Sequence, residues 1–270
     1  MKVSIITATL NSEKTISATL ASVQSQTHDN IEHIIVDGAS TDTTLQLVKR
    51  ENLKNLKVYS EKDKGLYHAL NRGIDLASGD IIGFLHSDDL FETDRSVSII
   101  VNEFEASDAN ATFSDLSYVS HKNIDRKIRH WVAGVYRHDK LKKGWMPPHP
   151  TVFLRKEVFE HIGRFDTSYK ISADYDFLLR FLKDENYRIS YIPCLLYKMR
   201  TGGISNRSVK NIAIKMSEDL RIIKNNNIGG IKTLLLKNMR KFSQFSIPSS
   251  KGPPDIDRTL TPKPDRPRDT

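Results

Sequence analysis

Short apolar runs alternate with amphipathic stretches through the first hundred residues, and this rhythm restricts the fold more than any other feature of the chain. Val3–Thr9 is a β-branched run followed by the cap residues Asn11 and Ser12. Residues 15–24 then place Ile16, Leu20 and Val23 on one helical face. A second apolar run, 31–36, stops at Asp37-Gly38. Ser40-Thr41-Asp42 supplies caps there, and Leu45, Leu47 and Val48 follow on a helix. Residues 56–60 read as a third strand, 65–77 as a helix and 81–85 as a fourth strand ending at His86-Ser87-Asp88-Asp89. This alternation predicts an α/β protein with a mostly parallel sheet and helices on both faces. Ligands of open sheets bind beyond the carboxyl ends of the strands. Three such ends carry Thr7-Ala8-Thr9, Asp37-Gly38 and Ser87-Asp88-Asp89, so polar and acidic residues gather on one edge.

From about residue 112 the alternation weakens, and Trp131, the segment 145–150 and Gly163 predict longer loops. Helical spacing returns at 174–182 and over 208–245, with an interruption at 225–230. Residues 246–270 hold six prolines and almost no large apolar side chain, a composition that predicts disorder. No apolar run approaches the ~20 residues of a spanning helix, and the opening residues lack a leader pattern. The single cysteine, Cys194, permits no internal disulfide and fits a reducing cytoplasm. It reads as a small buried hydrophobe rather than a nucleophile.

The formal net charge is +8, from 41 basic and 33 acidic residues. Such a balance suits nucleic acid, an anionic membrane or phosphorylated ligands without choosing among them. Most of the excess lies in 207–245, where nine basic minus two acidic residues leave +7. Ile231, Leu234, Leu235, Leu236, Met239, Phe242 and Phe245 interleave with these charges. The pattern fits a helix lying on an anionic membrane, and equally a helix packed on the body with a solvated charged face.

Adjacent carboxylates at a strand end need a neutralising partner, because like charges at neighbouring positions repel. Asp88-Asp89 would suit Mg²⁺ or Mn²⁺, which take oxygen ligands and bridge carboxylates to a diphosphate. An aspartate pair also caps helices, so the dipeptide alone leaves both readings open. Its position weighs for the metal, since Asp37 ends another strand of the same predicted sheet.

Four segments, taken in order, resemble the family 2 glycosyltransferases. They are 3–11 (Val3-Ser4-Ile5-Ile6-Thr7-Ala8-Thr9-Leu10-Asn11), 35–44 (Ile35-Val36-Asp37-Gly38-Ala39-Ser40-Thr41-Asp42-Thr43-Thr44), 61–73 (Glu61-Lys62-Asp63 through Asn71-Arg72-Gly73) and 84–89 (Phe84-Leu85-His86-Ser87-Asp88-Asp89). The likeness is strongest to the bacterial surface-polysaccharide branch that includes colanic acid-type enzymes, and it covers roughly 3–205. It implies a GT-A, Rossmann-like fold with a carboxyl-terminal helical extension. It also implies a catalytic domain over 1–206, with a nucleotide-sugar-binding half (1–110) and an acceptor-binding half (111–206). The basic helical extension would occupy 207–245 and the tail 246–270.

By the same resemblance Thr7 and Thr9 would line the base and ribose pocket, and Asp37 would help hold the base. Asp63 and Asn71 would face the donor, and Arg72 would meet phosphate charge. Asp88 would lie near ribose and metal, with Asp89 the more direct metal ligand. Relatives often carry two acidic residues where this chain has Asp37-Gly38, and an aromatic where it has Leu10. In Ile171-Ser172-Ala173-Asp174-Tyr175-Asp176, Ala173 replaces the family's usual glutamate and Asp174 matches its catalytic base, with Asp176 as runner-up. His149 is a candidate contact for acceptor or phosphate. Arg200-Thr201-Gly202-Gly203 resembles a loop that the family uses over the donor.

The implied activity is inverting transfer of a hexose-type sugar from a nucleotide diphosphate donor, a UDP-sugar, with Mn²⁺ or Mg²⁺. The acceptor would be a hydroxyl on a saccharide or lipid-linked saccharide in polysaccharide assembly. A cytoplasmic enzyme of this kind would sit at the inner face of the cytoplasmic membrane, with no nucleic-acid partner. The alternative is a non-catalytic nucleotide-sugar-binding or scaffold protein of the same fold, against which the acidic groups argue. A nucleotidyltransferase would carry a glycine-rich phosphate loop, which residues 7–12 do not offer.

Overall fold

The computed structural model describes residues 1–51, 55–202 and 209–243. Its strands are β1 (Val3–Thr9), β2 (Ile31–Asp37), β3 (Leu56–Ser60), β4 (Ile81–Phe84), β5 (Leu90–Phe91), β6 (Ala111–Val119), β7 (Lys127–Trp131), β8 (Phe153–Arg155) and β9 (Ile189–Arg200). Its helices are α1 (Ile16–Gln24), α2 (Thr44–Arg50), α3 (Leu66–Leu76), α4 (Ser96–Ser107), α5 (Lys156–Ile162), α6 (Ala173–Leu182), α7 (Val209–Asn225) and α8 (Ile231–Ser243). Among the described residues the nine strands form one sheet in the order β3-β2-β1-β4-β8-β6-β9-β5, with β7 paired to β6.

The first half follows the expected parallel pattern. β1 pairs in parallel with β2 and with β4, and β2 with β3. Every residue of β1 is buried, as parallel strands covered on both faces require. Its alternate side chains enter different cores. Val3 and Ile5 meet Val97, Ile100 and Phe104, while Ile6 and Ala8 meet Leu70 and Ile74 of α3. Gly73 lets α3 come close, because a Cβ there would lie 2.3 Å from Ile6 Cγ2.

The second half is mixed rather than parallel. β8 runs antiparallel to both β4 and β6, β9 is parallel to β6, and β5 is antiparallel to β9. Three-residue β8 thus joins the two halves of the sheet, and no sequence run marked it as a strand because it is so short.

Helices α7 and α8 pack on this body. Ile222, Ile223, Ile228 and Leu234 belong to the same apolar cluster as Tyr175 and Phe177. Thr233 Oγ1 donates to the Lys142 carbonyl at 3.0 Å and Arg240 Nε to that of Lys143 at 3.0 Å. Of the two readings of this basic segment, packing on the body is therefore realised for its inner face. The outer face remains apolar, with Ile212, Met216, Ile231, Leu235 and Met239 exposed. Arg207, Phe245 and the predicted disordered tail lie outside the described residues. Burial pushes the Cys194 thiol up to about 11, which fits its reading as an inert hydrophobe.

His33 sits fully buried on β2, and burial lowers its pKa to about 3. The Thr7 hydroxyl donates to the Leu85 carbonyl at 2.7 Å, so it accepts from His33 Nε2 at 2.9 Å. Nδ1 is left as a buried, unpartnered lone pair. Unfolding frees the imidazole to bind a proton below its ordinary pKa near 6.5. Stability is therefore complete above that value and falls as pH drops toward 3, by up to about 1.4 kcal/mol per pH unit. In chemical denaturation, His33→Gln should lose stability less steeply than the native chain between pH 6.5 and 4; equal slopes would contradict this account.

Candidate active site

Thr9, Asp37 and Ser60 end three neighbouring strands in register. Asp37 is fully buried, and its carboxylate is spent internally. Oδ2 accepts from the Ser40 N–H at 3.0 Å and the Ser60 hydroxyl at 2.7 Å, while Oδ1 accepts from the Ser40 hydroxyl. It anchors the turn after β2 and presents no free oxygen. The turn after β1 is tied to it, since Asn11 Oδ1 accepts from the Thr41 N–H at 2.9 Å. The Ser12 and Ser87 hydroxyls join the β1 and β4 exits at 2.9 Å. Thr7, expected on the nucleotide pocket, is instead completely buried, with its hydroxyl bridging His33 and the Leu85 carbonyl. Thr9 differs, having a buried hydroxyl without a partner. Leu10 beside it is 57% exposed.

Asp63 is half-buried, and its Oδ1 accepts from the Gly65 N–H at 2.9 Å. Its carboxylate leans over Gly38, where a Cβ would stand 3.0 Å from Oδ2. The missing second acid after Asp37 therefore leaves room that the Asp63 carboxylate occupies. Asn71 does not face this edge with a free amide. It donates to the Phe165 carbonyl at 2.9 Å and accepts from the Phe165 N–H at 3.0 Å, clamping two distant segments. Arg72 lies half-exposed, 4.0 Å from the exposed Glu61.

Burial separates the two aspartates after β4. Asp89 is 1% exposed; desolvation and the neighbouring Asp88 push its carboxyl well above the usual range. Its Oδ1 accepts from the Arg200 N–H at 3.1 Å and its Oδ2 is buried without a partner. Asp88 is half-buried. The expected ranking, with Asp89 the more direct metal ligand, is thus reversed in accessibility. Arg200 is 9% exposed, and its guanidinium donates to the Asp88 and His121 carbonyls at 2.8 and 3.0 Å. It braces the Asp88-Asp89 turn rather than reaching over a donor. Gly202 is described with positive φ, while Gly203 lies outside the described residues.

Asp174 sits at the second position of α6, half-buried, and its Oδ1 lies 3.2 Å from Tyr67 Oη, whose single proton it shares with the nearer Ile171 carbonyl at 2.6 Å. Burial first, and then the Asp174 charge, push the Tyr67 phenol well above 10, so it stays a donor. Asp176 is 6% exposed and paired to Arg180 at 2.8 Å. Geometry therefore favours Asp174 over the runner-up. His149 is buried, stacked on Phe84 at 5.7 Å and 6.4 Å from the His86 ring. Burial lowers the His149 pKa to about 4, against the opposing charge of Asp174. His86 is shifted down for the same reason, with Asp88 and Asp174 opposing. Both rings are thus neutral at pH 7, which suits hydrogen bonding or ligation and not phosphate charge pairing. Tyr67 and His86 stood inside the quoted motifs, yet nothing in their spacing assigned them to Asp174.

Among the described residues no three His, Cys, Asp or Glu side chains converge as a metal cage. Mg²⁺ and Mn²⁺ are commonly held by one or two carboxylates together with substrate phosphates. Half-buried Asp88 together with Asp89, whose Oδ2 has no partner, fits that donor set.

A parallel β3-β2-β1-β4 half, joined through antiparallel β8 to a mixed half with acidic residues at the β4 exit, defines the GT-A class. Solved structures share it. TarS 1-349 of S. aureus in complex with UDP-GlcNAc superimposes with a TM-score of 0.65 at 23% identity, over 83% of this chain and 67% of that one. The mannosyltransferase PcManGT from Pyrobaculum calidifontis, in complex with GDP-Man and Mn²⁺, gives 0.61 at 19% identity, over 90% and 72%. A PGL/p-HBAD biosynthesis glycosyltransferase of Mycobacterium tuberculosis is 32% identical over 219 residues, 78% of this chain and 82% of that relative. The sequence model of glycosyl transferase family 2 matches residues 4–163, and the chain belongs to that family.

The geometry separates neighbours that the family motif joins. Asn71→Ala should lower stability by about 1–3 kcal/mol, since it strands the Phe165 backbone groups. Arg72→Ala should stay within about 0.5 kcal/mol. Urea denaturation checks both, and equal losses would contradict the clamp.

Proposed function

We propose that the protein is an inverting hexosyltransferase that takes a sugar from a nucleoside diphosphate donor, a UDP-sugar, and attaches it to a hydroxyl of a saccharide or lipid-linked saccharide. The observation that carries this reading is the placement of Asp174. Its carboxylate opens the first turn of α6 within 3.2 Å of Tyr67 Oη, half-buried and so reachable by an acceptor. UDP-GlcNAc bound to TarS and GDP-Man with Mn²⁺ bound to PcManGT support a nucleotide-sugar donor here.

Asp174 accepts the proton of the acceptor hydroxyl as its oxygen attacks the anomeric carbon. The new C–O bond forms on the face opposite the diphosphate, the old one breaks, and the nucleoside diphosphate leaves with the electron pair. One displacement inverts the anomeric centre. Asp88 and Asp89 would hold Mg²⁺ or Mn²⁺, which would supply Lewis-acid stabilisation of the leaving charge. Thr9 and the exposed Leu10 border the base and ribose, with Leu10 in place of the family's aromatic. Asp63 faces the donor beside Gly38, and Asp37 acts on the base through the turn it anchors. Arg72 meets phosphate from the rim.

Donor hydrolysis and transfer assays test the assignment. Asp174→Asn should keep donor binding and lose transfer by about 10²–10⁴-fold. Asp88→Ala should abolish the stimulation of donor hydrolysis by Mn²⁺ or Mg²⁺. Full transfer by Asp174→Asn, or metal stimulation that persists in Asp88→Ala, would defeat the corresponding role.

The outer face of α7 and α8 suggests where a lipid-linked acceptor is met. No helix among the described residues is long and apolar enough to cross a membrane. Ile231, Leu235 and Met239 form an exposed i, i+4, i+8 stripe, with Lys142, Lys143, Lys232 and Arg240 exposed around it. An apolar stripe flanked by lysine and arginine fits the inner, anionic leaflet of the cytoplasmic membrane. In liposome flotation the protein should rise with anionic vesicles and not with neutral ones, and Leu235→Glu should abolish the difference. Equal flotation of the variant would refute this surface.

A further inference from the structure

We infer that Glu218, on α7, is a positioning residue for Asp174, and this rests on Asp174 being the base. Residues 170–172 lead into α6, whose second residue is Asp174. The N-cap Ser172 makes no side-chain cap bond, and its hydroxyl is buried without a partner. The turn that leads into this helix is instead held from another helix. Glu218 is buried, and its Oε1 accepts from the Lys170 N–H at 2.7 Å. Oε2 accepts from the N–H groups of Ile171 and Ser172, each at 3.0 Å. A carboxylate at a helix amino terminus also meets the positive end of the helix dipole.

The loop is gripped from the other side as well. Tyr67 Oη donates to the Ile171 carbonyl at 2.6 Å and reaches Asp174 Oδ1 at 3.2 Å. Ile171 is therefore held by its N–H from α7 and by its carbonyl from α3. Asp174 follows three residues later, on the first turn that this grip orients.

Helix α7 is itself locked. Asp219, next to Glu218, pairs with Lys215 at 2.9 Å and with Lys237 of α8 at 2.7 Å. The Lys237 ammonium lies 3.3 Å from the Tyr175 ring centroid, and Tyr175 neighbours Asp174 on α6. A chain of charged contacts thus runs from α8 through α7 to the turn that carries the base. All of it lies beyond residue 163, where the family match ends.

Removing the Glu218 charge leaves three backbone N–H groups aimed at a group that no longer accepts from all of them. The turn must then relax, and misplacing a catalytic group by about 1 Å can cost on the order of 10²-fold in rate. Glu218→Gln preserves shape and should lower kcat by about that factor, with the donor KM and donor binding unchanged. In a double-mutant cycle, Glu218→Gln should add no further loss to Asp174→Asn, because residues acting as one unit are not additive. Independent multiplication of the two losses would mean a general structural role and overturn the inference. So would unchanged kcat in Glu218→Gln while Asp174→Asn is inactive. Full transfer by Asp174→Asn would instead remove the base reading beneath it. Amide exchange on the native chain needs no variant: the amides of Lys170, Ile171 and Ser172 should be strongly protected, and exchange at open-loop rates would also overturn it.

Discussion

A carboxylate taken out of water must recover its hydration from fixed donors, and backbone N–H groups are the donors a turn has to spare. Around the carboxyl-terminal edge of this sheet the exchange is made repeatedly. Asp37 takes the Ser40 N–H and the Ser60 hydroxyl, Asp89 takes the Arg200 N–H on one oxygen, and Glu218 takes the N–H groups of residues 170–172. Such turns and helix entries have no ladder to hold them. These buried acids replace it. Each links a turn to a different part of the chain, so the rim is assembled from segments far apart in sequence.

That division of labour explains which features were legible in the sequence. Largely apolar runs announced β1, β2 and β4, because a parallel strand covered on both faces keeps few polar positions. The acidic edge was legible too, since strand ends in such sheets point one way. The mixed half was not. β8 has three residues, and its pairing with β4 and β6 depends on partners far away in the chain.

Neighbouring residues with opposite fates were the harder problem. Asp88 and Asp89, Asp174 and Asp176, and Thr7 and Thr9 look alike as letters. What separates them is chiefly contact with distant residues: Arg200 on β9 for Asp89, Asn226 after α7 for Asp176, beside its own helix's Arg180, and His33 on β2 for Thr7. The same holds for Asn71, whose amide is spent on Phe165. A motif reports that a residue type is required at a position. It does not say whether the side chain is held inside to shape the site or left outside to act in it.

The charge balance at the rim bears on how a diphosphate could be accommodated. Asp88 and Asp174 bring negative charge, and burial keeps His149 uncharged at neutral pH. Arg200, the cation bonded closest to Asp88, spends its guanidinium on carbonyl oxygens. Arg72 stands half-exposed on the rim beside Glu61. An incoming diphosphate would therefore add charge to an edge that already carries Asp88 and Asp174, where among the described residues Arg200 is committed to carbonyl oxygens and Arg72 lies beside Glu61. Coulomb repulsion in a partly desolvated pocket grows as the effective dielectric falls. A divalent cation held by Asp88 would convert that repulsion into attraction, at the edge where the proposed transfer would leave charge on the departing diphosphate.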